Sequence, residues 1–216
     1  KRGIEVTSLP ITDLAGVKAA IKPNTRVIFA EFLSNPWNRV TDVPALAKIA
    51  HDAKAILIVD NTFLSPAAIR PLSMGADLVL HASTKWISGH GDALGGVVSG
   101  STALLNPIRR LTDWLGGTPS PFNSWLIARG TRTLPLRVER ATENASKLAA
   151  FLEGHEKVEW VRHPSLSSHP DRAVAERLLA GNWGGMLAFK PRGANGDDLG
   201  AMRAFADNLK MCAIAV

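Results

Sequence analysis

The sequence predicts an α/β fold: a mostly parallel sheet in its first half and a smaller α/β portion at its end. Three observations carry this expectation. Residues 55–60 (AILIVD) and 76–81 (ADLVLH) are continuous apolar runs of strand length, as strands buried on both faces are. Stretches with helical spacing of apolar residues lie between such runs. A long amphipathic stretch then leads into a second strand–helix–strand–helix series.

Taken in order, residues 25–31 (TRVIFAE) read as a strand. Thr41 or Asp42 is placed to cap a helix that has Pro44 in its first turn and runs to about residue 53. Residues 55–60 form the next strand, and Ser65 and Pro66 open a short helical stretch ending near Gly75. Residues 76–81 and 95–99 (GGVVS) add two strands, and the set predicts a parallel sheet covered on both faces. The character changes after about Gly117, with a turn at 119–121 and a helical stretch at 123–130. Residues 135–154 are amphipathic, with Val138, Ala141, Ala145, Leu148 and Leu152 near one face. The rest reads as strand 158–162, helix 172–179, strand 186–190 and helix 198–209, punctuated by Gly154 and the glycines of 193–196. The expected division is a large portion, residues 1–133, and a connecting helix with a small portion, residues 134–216.

Bulk properties narrow the function classes. The net charge of +6 comes from basic residues that are scattered, without a long run or aromatic interleaving, so nucleic-acid binding is not expected. A mildly basic surface suits the attraction of anionic substrates instead. No stretch approaches the ~20 apolar residues of a membrane span, so no membrane partner is expected. The single cysteine, Cys212, excludes an internal disulfide, fits a reducing compartment such as the cytoplasm, and is expected as a small buried apolar side chain. The six histidines are dispersed, without ligand spacing, so no metal site is expected. There is no tyrosine.

Chemistry concentrates just past three strand ends. Lys85 follows the strand at 76–81 and sits among hydroxyls and glycines (HASTKWISGHG), where low-dielectric surroundings would favour a nucleophilic amine or an imine. Asp60 ends the preceding apolar run, and Asn35 follows the first strand in Ser34-Asn35-Pro36. Each has an ordinary alternative: a surface lysine, a turn-capping aspartate, an Asn-Pro turn. An acid and a lysine at neighbouring strand ends nevertheless suit pyridoxal 5'-phosphate, whose aldehyde takes a lysine amine and whose pyridine nitrogen pairs with an acid. Ligands of open α/β sheets bind beyond those carboxyl ends. The Gly89–Gly95 stretch has a dinucleotide-loop flavour but does not follow a strand directly, so a nicotinamide site is not expected.

Residues 27–96 resemble the Cys/Met-metabolism family of pyridoxal phosphate enzymes, which includes cystathionine γ-synthase, cystathionine lyases, methionine γ-lyase and homoserine sulfhydrylases. The segments that carry the likeness are 34–36 (SNP), 58–66 (IVDNTFLSP) and 75–91, whose last part satisfies the family's lysine signature. It continues in 120–123 (SPFN), 129–130, 134–137 (LPLR), 168–170 (SHP) and 184–187 (GGML).

The resemblance implies the aspartate aminotransferase-like fold (fold type I). It makes Lys85 the Schiff-base lysine and catalytic residue, pairs Asp60 with the pyridine nitrogen, sets Asn35 beside the ring and gives Thr84 to the phosphate. The family has serine three residues before the lysine; here that position is Ala82, and Ser83 is the candidate replacement. The family's stacking tyrosine and glycine-rich phosphate loop would precede this chain and its carboxylate-binding arginine would follow it, so the chain reads as the middle of a longer protein. The implied function is γ-replacement on an O-acylated homoserine with cysteine, giving cystathionine. Lyase or sulfhydrylase activity on related small amino-acid substrates is the alternative, and a non-catalytic family member is another. A homotetramer with shared active sites is also implied.

Overall fold

The structure, a computed structural model, describes residues 3–193 and 199–212. Its main sheet contains β1 (Val27–Glu31), β2 (Ile56–Asp60), β3 (Leu78–Ala82) and β4 (Gly96–Gly100), adjacent in that order. The first three strands are parallel; β4 returns antiparallel to β3. A short helix, α1 (Leu14–Ala19), precedes β1, capped by the Asp13 carboxylate, which accepts the Gly16 N–H. Between β1 and β2 runs α2 (Val43–Asp52), where the Asp42 carboxylate accepts the Ala45 N–H and Pro44 sits in the first turn. The helix buries Val43, Leu46, Ala47 and Ala50 in the cluster that holds Leu57 and Val59. Full burial of a side chain such as Leu46 or Leu57 is worth about 1.5–3 kcal/mol.

Both faces of the sheet were expected to be covered; among the described residues one face is buried and the other is covered only in part. Ile28, Ala30, Leu57, Val59 and Val79 lie in the core, whereas Val27 is 46% and Phe29 55% exposed. Ile56, Ile58 and Leu80 are half-buried. On this second face Leu78, in register with Ile58, is buried at 3% exposure, whereas the β1 side is left open among the described residues.

After β2 come α3 (Ser65–Ala68), a 3-10 turn at Pro71–Met74, and Gly75 at φ 99°, a left-handed conformation that favours glycine. A Cβ on Gly75 would also lie 2.9 Å from the Cβ of Ala47, so glycine lets this turn settle onto α2. α4 (Thr102–Leu115), capped by Ser101 and ended by Gly116 at φ 69°, was not expected, nor was α1. None of the α4 residues is buried. Next are α5 (Pro121–Thr131), with Ser120 as cap, and α6 (Leu134–Glu153). On α6 the buried residues are Leu134, Val138, Ala145 and Ala149, while Leu148, expected on that face, is 48% exposed. Position 149 follows 145 and 138 at helical spacing more closely than 148 does.

The remaining elements are β5 (Val158–Arg162), α7 (Arg172–Leu179), β6 (Ala188–Pro191) and α8 (Leu199–Asp207). β5 and β6 pair antiparallel, and Val158 and Val161 cluster with Ala149 of α6 and Leu166. Ala175 and Leu179 of α7 instead join the main core. Cys212, expected to be buried, is exposed, because it lies past α8 in an irregular segment. Of the glycine stretch at 193–196, residues 194–196 lie outside the described residues, as does residue 198 of the expected last helix.

Candidate active site

Because β1, β2 and β3 are parallel neighbours, their carboxyl ends share one edge of the sheet. Asp60 is the last residue of β2, Asn35 follows β1 in a loop, and Lys85 follows β3 in a turn. A cleft of about 950 Å³ opens along this edge, within the ~300–1,000 Å³ typical of small-molecule sites. Asn35 and Lys85 both line it. Thr62, Trp86, Arg137, Arg140, Asn144 and Met186 line it too, drawn from the turn after β2, the Lys85 turn, α6 and the approach to β6. Asp60, Thr84 and Ser83 are not among its lining residues.

Asp60 is fixed by its own turn. Its Oδ1 accepts the Thr62 N–H at 2.8 Å, and the Thr62 hydroxyl accepts the Ala82 N–H at 2.8 Å. One short network therefore ties the end of β2 to the end of β3. His81 is buried nearby: burial pushes its imidazole below the usual pKa, while the Asp60 carboxylate pulls the other way and is outweighed. Among the described residues Asp60 forms no salt bridge, which leaves its carboxyl group free to pair with a pyridinium.

Lys85 lies in a run of turns from Ser83 to Ser88. Its N–H donates to the Ala82 carbonyl at 3.1 Å and its carbonyl accepts the Gly89 N–H at 2.8 Å. The side chain is exposed in the cleft, so the low-dielectric surroundings expected around its amine are not built by the described residues. The Asn35 N–H donates to the Glu31 carboxylate at 2.9 Å, anchoring the loop to the end of β1.

The two hydroxyls before Lys85 differ. Thr84 accepts the Gly95 N–H at 3.2 Å and donates to the Gly95 carbonyl at 3.4 Å, joining the lysine turn to the start of β4. Ser83 is fully buried and its Oγ has no hydrogen-bond partner among the described residues. A buried hydroxyl without a partner costs about 1–3 kcal/mol, so an acceptor such as a phosphate oxygen would offset that cost. An amine, a carboxylate and an amide on one sheet edge, with an unsatisfied hydroxyl beside the amine, fit pyridoxal 5'-phosphate in their donor and acceptor chemistry.

Of the residues contributed by α6, Arg137 lies in the family-like 134–137 segment without a role assigned to it, and Arg140 and Asn144 gave no signal beyond helical spacing. Arg137, Arg140 and Asn144 sit three and four apart, on one face. They read as the solvated side of an amphipathic helix until the helix is placed against the cleft.

The Cys/Met metabolism PLP-dependent enzyme family model matches residues 1–216. A canavanine gamma-lyase of Pseudomonas canavaninivorans is 42% identical over 99% of the chain, which spans 53% of that protein. Cystathionine gamma-synthase 1, chloroplastic, of Arabidopsis thaliana is 39% identical over 100% of the chain, which spans 38% of that protein. The crystal structure of cystathionine gamma-lyase from Lactobacillus plantarum complexed with L-serine superposes with a TM-score of 0.91 at 35% identity, covering 97% of this chain and 54% of that one. The chain thus spans about half the length of relatives such as the canavanine lyase. A family match along the whole chain, on a sheet edge carrying the amine and the acid, makes this chain a member of the Cys/Met-metabolism family of PLP-dependent enzymes.

Proposed function

We propose that this chain is the catalytic portion of an enzyme that expels a γ-substituent from a sulfur-containing, O-acylated or similarly substituted amino acid of the homoserine–cysteine series. In this reading Lys85 holds pyridoxal 5'-phosphate through its Nζ, Asp60 pairs with the pyridine nitrogen, and Asn35 lies beside the ring. Thr84 and Ser83 serve the phosphate. The cofactor, when bound, supplies an electron sink for a carbanion at the substrate's α-carbon. The Lys85 amine, once the substrate's own amine has replaced it, would accept the α-proton, pass it on, and then take a proton from the β-carbon, whose freed electron pair expels the γ-substituent. An amine in that position acts in turn as base and acid, so the γ-substituent can leave with its bonding electrons. Asp60, fixed by the Thr62 N–H, keeps its charge directed at one point.

The observation that carries this reading is the placement of Lys85 and Asp60 at adjacent parallel strand ends in a chain of this family. Net γ-elimination is the outcome we favour, because the canavanine and cystathionine gamma-lyases are similar over nearly the whole chain. γ-Replacement with cysteine is the second reading, favoured by the 58–66 segment and by the likeness to the Arabidopsis synthase. The division into residues 1–133 and 134–216 belongs to the same proposal. So do a cytoplasmic location, suited to the lone cysteine, and a homotetramer, suited to the exposed Trp114, Phe122 and Trp125. The deciding experiment assays the intact protein on cystathionine alone and on O-succinyl-homoserine with cysteine. Turnover of the first supports elimination, turnover of only the second supports replacement, and turnover of neither rejects the proposal for these substrates.

A further inference from the structure

The turn that carries Lys85 is held from outside the sheet by one side chain. Arg137, in the first turn of α6, donates from Nη1 to the Trp86 carbonyl at 2.8 Å and from Nη2 to the Gly130 carbonyl at 2.9 Å. Its Nε donates to the Thr133 hydroxyl at 3.0 Å. The guanidinium therefore links the residue after Lys85 to the last turns of α5 and the cap position of α6. Burial pushes its pKa down, and no carboxylate contributes. The charge is thus satisfied by neutral acceptors alone, an arrangement suited to positioning rather than to ion pairing.

Packing leaves the joint no slack. A Cβ on Gly89 would fall within the Arg137 guanidinium, and one on Gly130 would fall against the Ser88 carbonyl. The turn is also held from its other side, where the Trp86 indole N–H donates to the Phe63 carbonyl at 2.9 Å. Trp86 is consequently pinned by its ring to the turn after β2 and by its carbonyl to α6, with Lys85 immediately before it.

We propose that Arg137 is a positioning residue for Lys85, setting where the amine stands in the cleft by fixing the Trp86 carbonyl to the α5–α6 elbow. This inference rests on the reading of Lys85 as the imine-forming lysine. Through the same elbow, α6, which also presents Arg140 and Asn144 to the cleft, is coupled to the lysine turn.

The test compares the intact protein with its Arg137→Gln and Arg137→Lys variants by amide hydrogen exchange and by borohydride fixation of added pyridoxal 5'-phosphate, mapped to the labelled lysine. In Arg137→Gln, exchange across residues 86–90 rises about tenfold or more while β1 and β2 keep their protection, as expected when a local opening loses its anchor. Fixation at Lys85 falls in the same variant and is partly restored by added guanidinium ion. Lysine, with a point charge in place of the fork, gives intermediate values. Unchanged exchange at 86–90, or an equal rise across the whole chain, overturns the proposal. Should Arg137→Gln fail to fold, Arg137→Lys decides by the same two measurements. Fixation that persists in Lys85→Ala on another lysine refutes the imine assignment itself, whereas the exchange result judges Arg137 separately.

Discussion

At the scale of single residues, the site depends on few groups with well-defined partners. Lys85→Ala is expected to abolish the visible absorption of the intact protein loaded with pyridoxal 5'-phosphate, and turnover with it; a retained band would reject Lys85 as the attachment point. Asp171 offers a stability test away from the cleft. Its carboxylate accepts Arg39 Nε at 2.7 Å, Arg39 Nη2 at 2.8 Å and the Val40 N–H at 3.0 Å. Burial alone would push the Asp171 pKa up, but these donors outweigh it and hold it below the usual value. Asp171→Ala leaves a half-buried guanidinium without its partner, and we expect a loss of about 2–4 kcal/mol in urea unfolding.

The same scale gives a pH dependence. Burial, in each case the largest cause, pushes His81, His163 and His169 below the usual histidine pKa. Between about 6.5, the unfolded value, and those lower native values, the unfolded chain binds more protons than the folded one. Stability is therefore full above about pH 6.5 and falls as the pH drops through that window. His163 and His169 hold the Gly184 and Asn38 carbonyls at 3.1 and 3.0 Å, so the joint between the β1 loop and the C-terminal portion should weaken first. Urea midpoints at successive pH values check this, and substituting both histidines with glutamine should flatten the slope.

At the scale of elements, close approach decides more than propensity. A Cβ on Gly130 of α5 would collide with the Ser88 backbone, which is not a flexible side-chain end. Gly130→Ala should cost about 1–3 kcal/mol by overpacking, although alanine favours helix, and a chemical-denaturation midpoint reads the difference. Most strands and helices were legible in the sequence because their signals are local: the apolar run before Asp60, the Asp42 cap with Pro44, the spacing of Val138 and Ala145. α1 and α4 were not: α1 spans only Leu14–Ala19, and α4 carries Pro107 internally and buries none of its residues, although Leu104, Leu105, Ile108, Leu111 and Leu115 recur along it at helical spacing. Lys85, Asp60 and Asn35 could be found as strand-end residues. Arg137 stood in the family-like 134–137 segment, but its role was not legible, since its contacts join positions 51 and 7 residues apart in the chain and leave no mark on local spacing.

At the scale of the whole molecule, apolar surface is distributed unevenly. Trp114 is 85%, Phe122 66% and Trp125 57% exposed, all on α4 and α5, and Phe122 and Trp125 stack with ring centroids 6.2 Å apart. Such a patch is what a subunit contact buries. Trp125→Glu is expected to lower the sedimenting mass of the intact protein, and an unchanged mass would place the contact elsewhere. No helix among the described residues is long and apolar enough to cross a membrane, so this surface does not belong to a spanning helix.

The bare side of β1 has a consequence for handling the protein. Within the described sheet β1 pairs only with β2, and it carries Val27 and Phe29 outward. Its free backbone donors and acceptors can recruit an extended strand from any neighbour, and two outward apolar side chains reward that docking. Production of residues 1–216 by themselves should therefore yield material that clumps through this margin, and placing a lysine at position 29 should keep it dispersed.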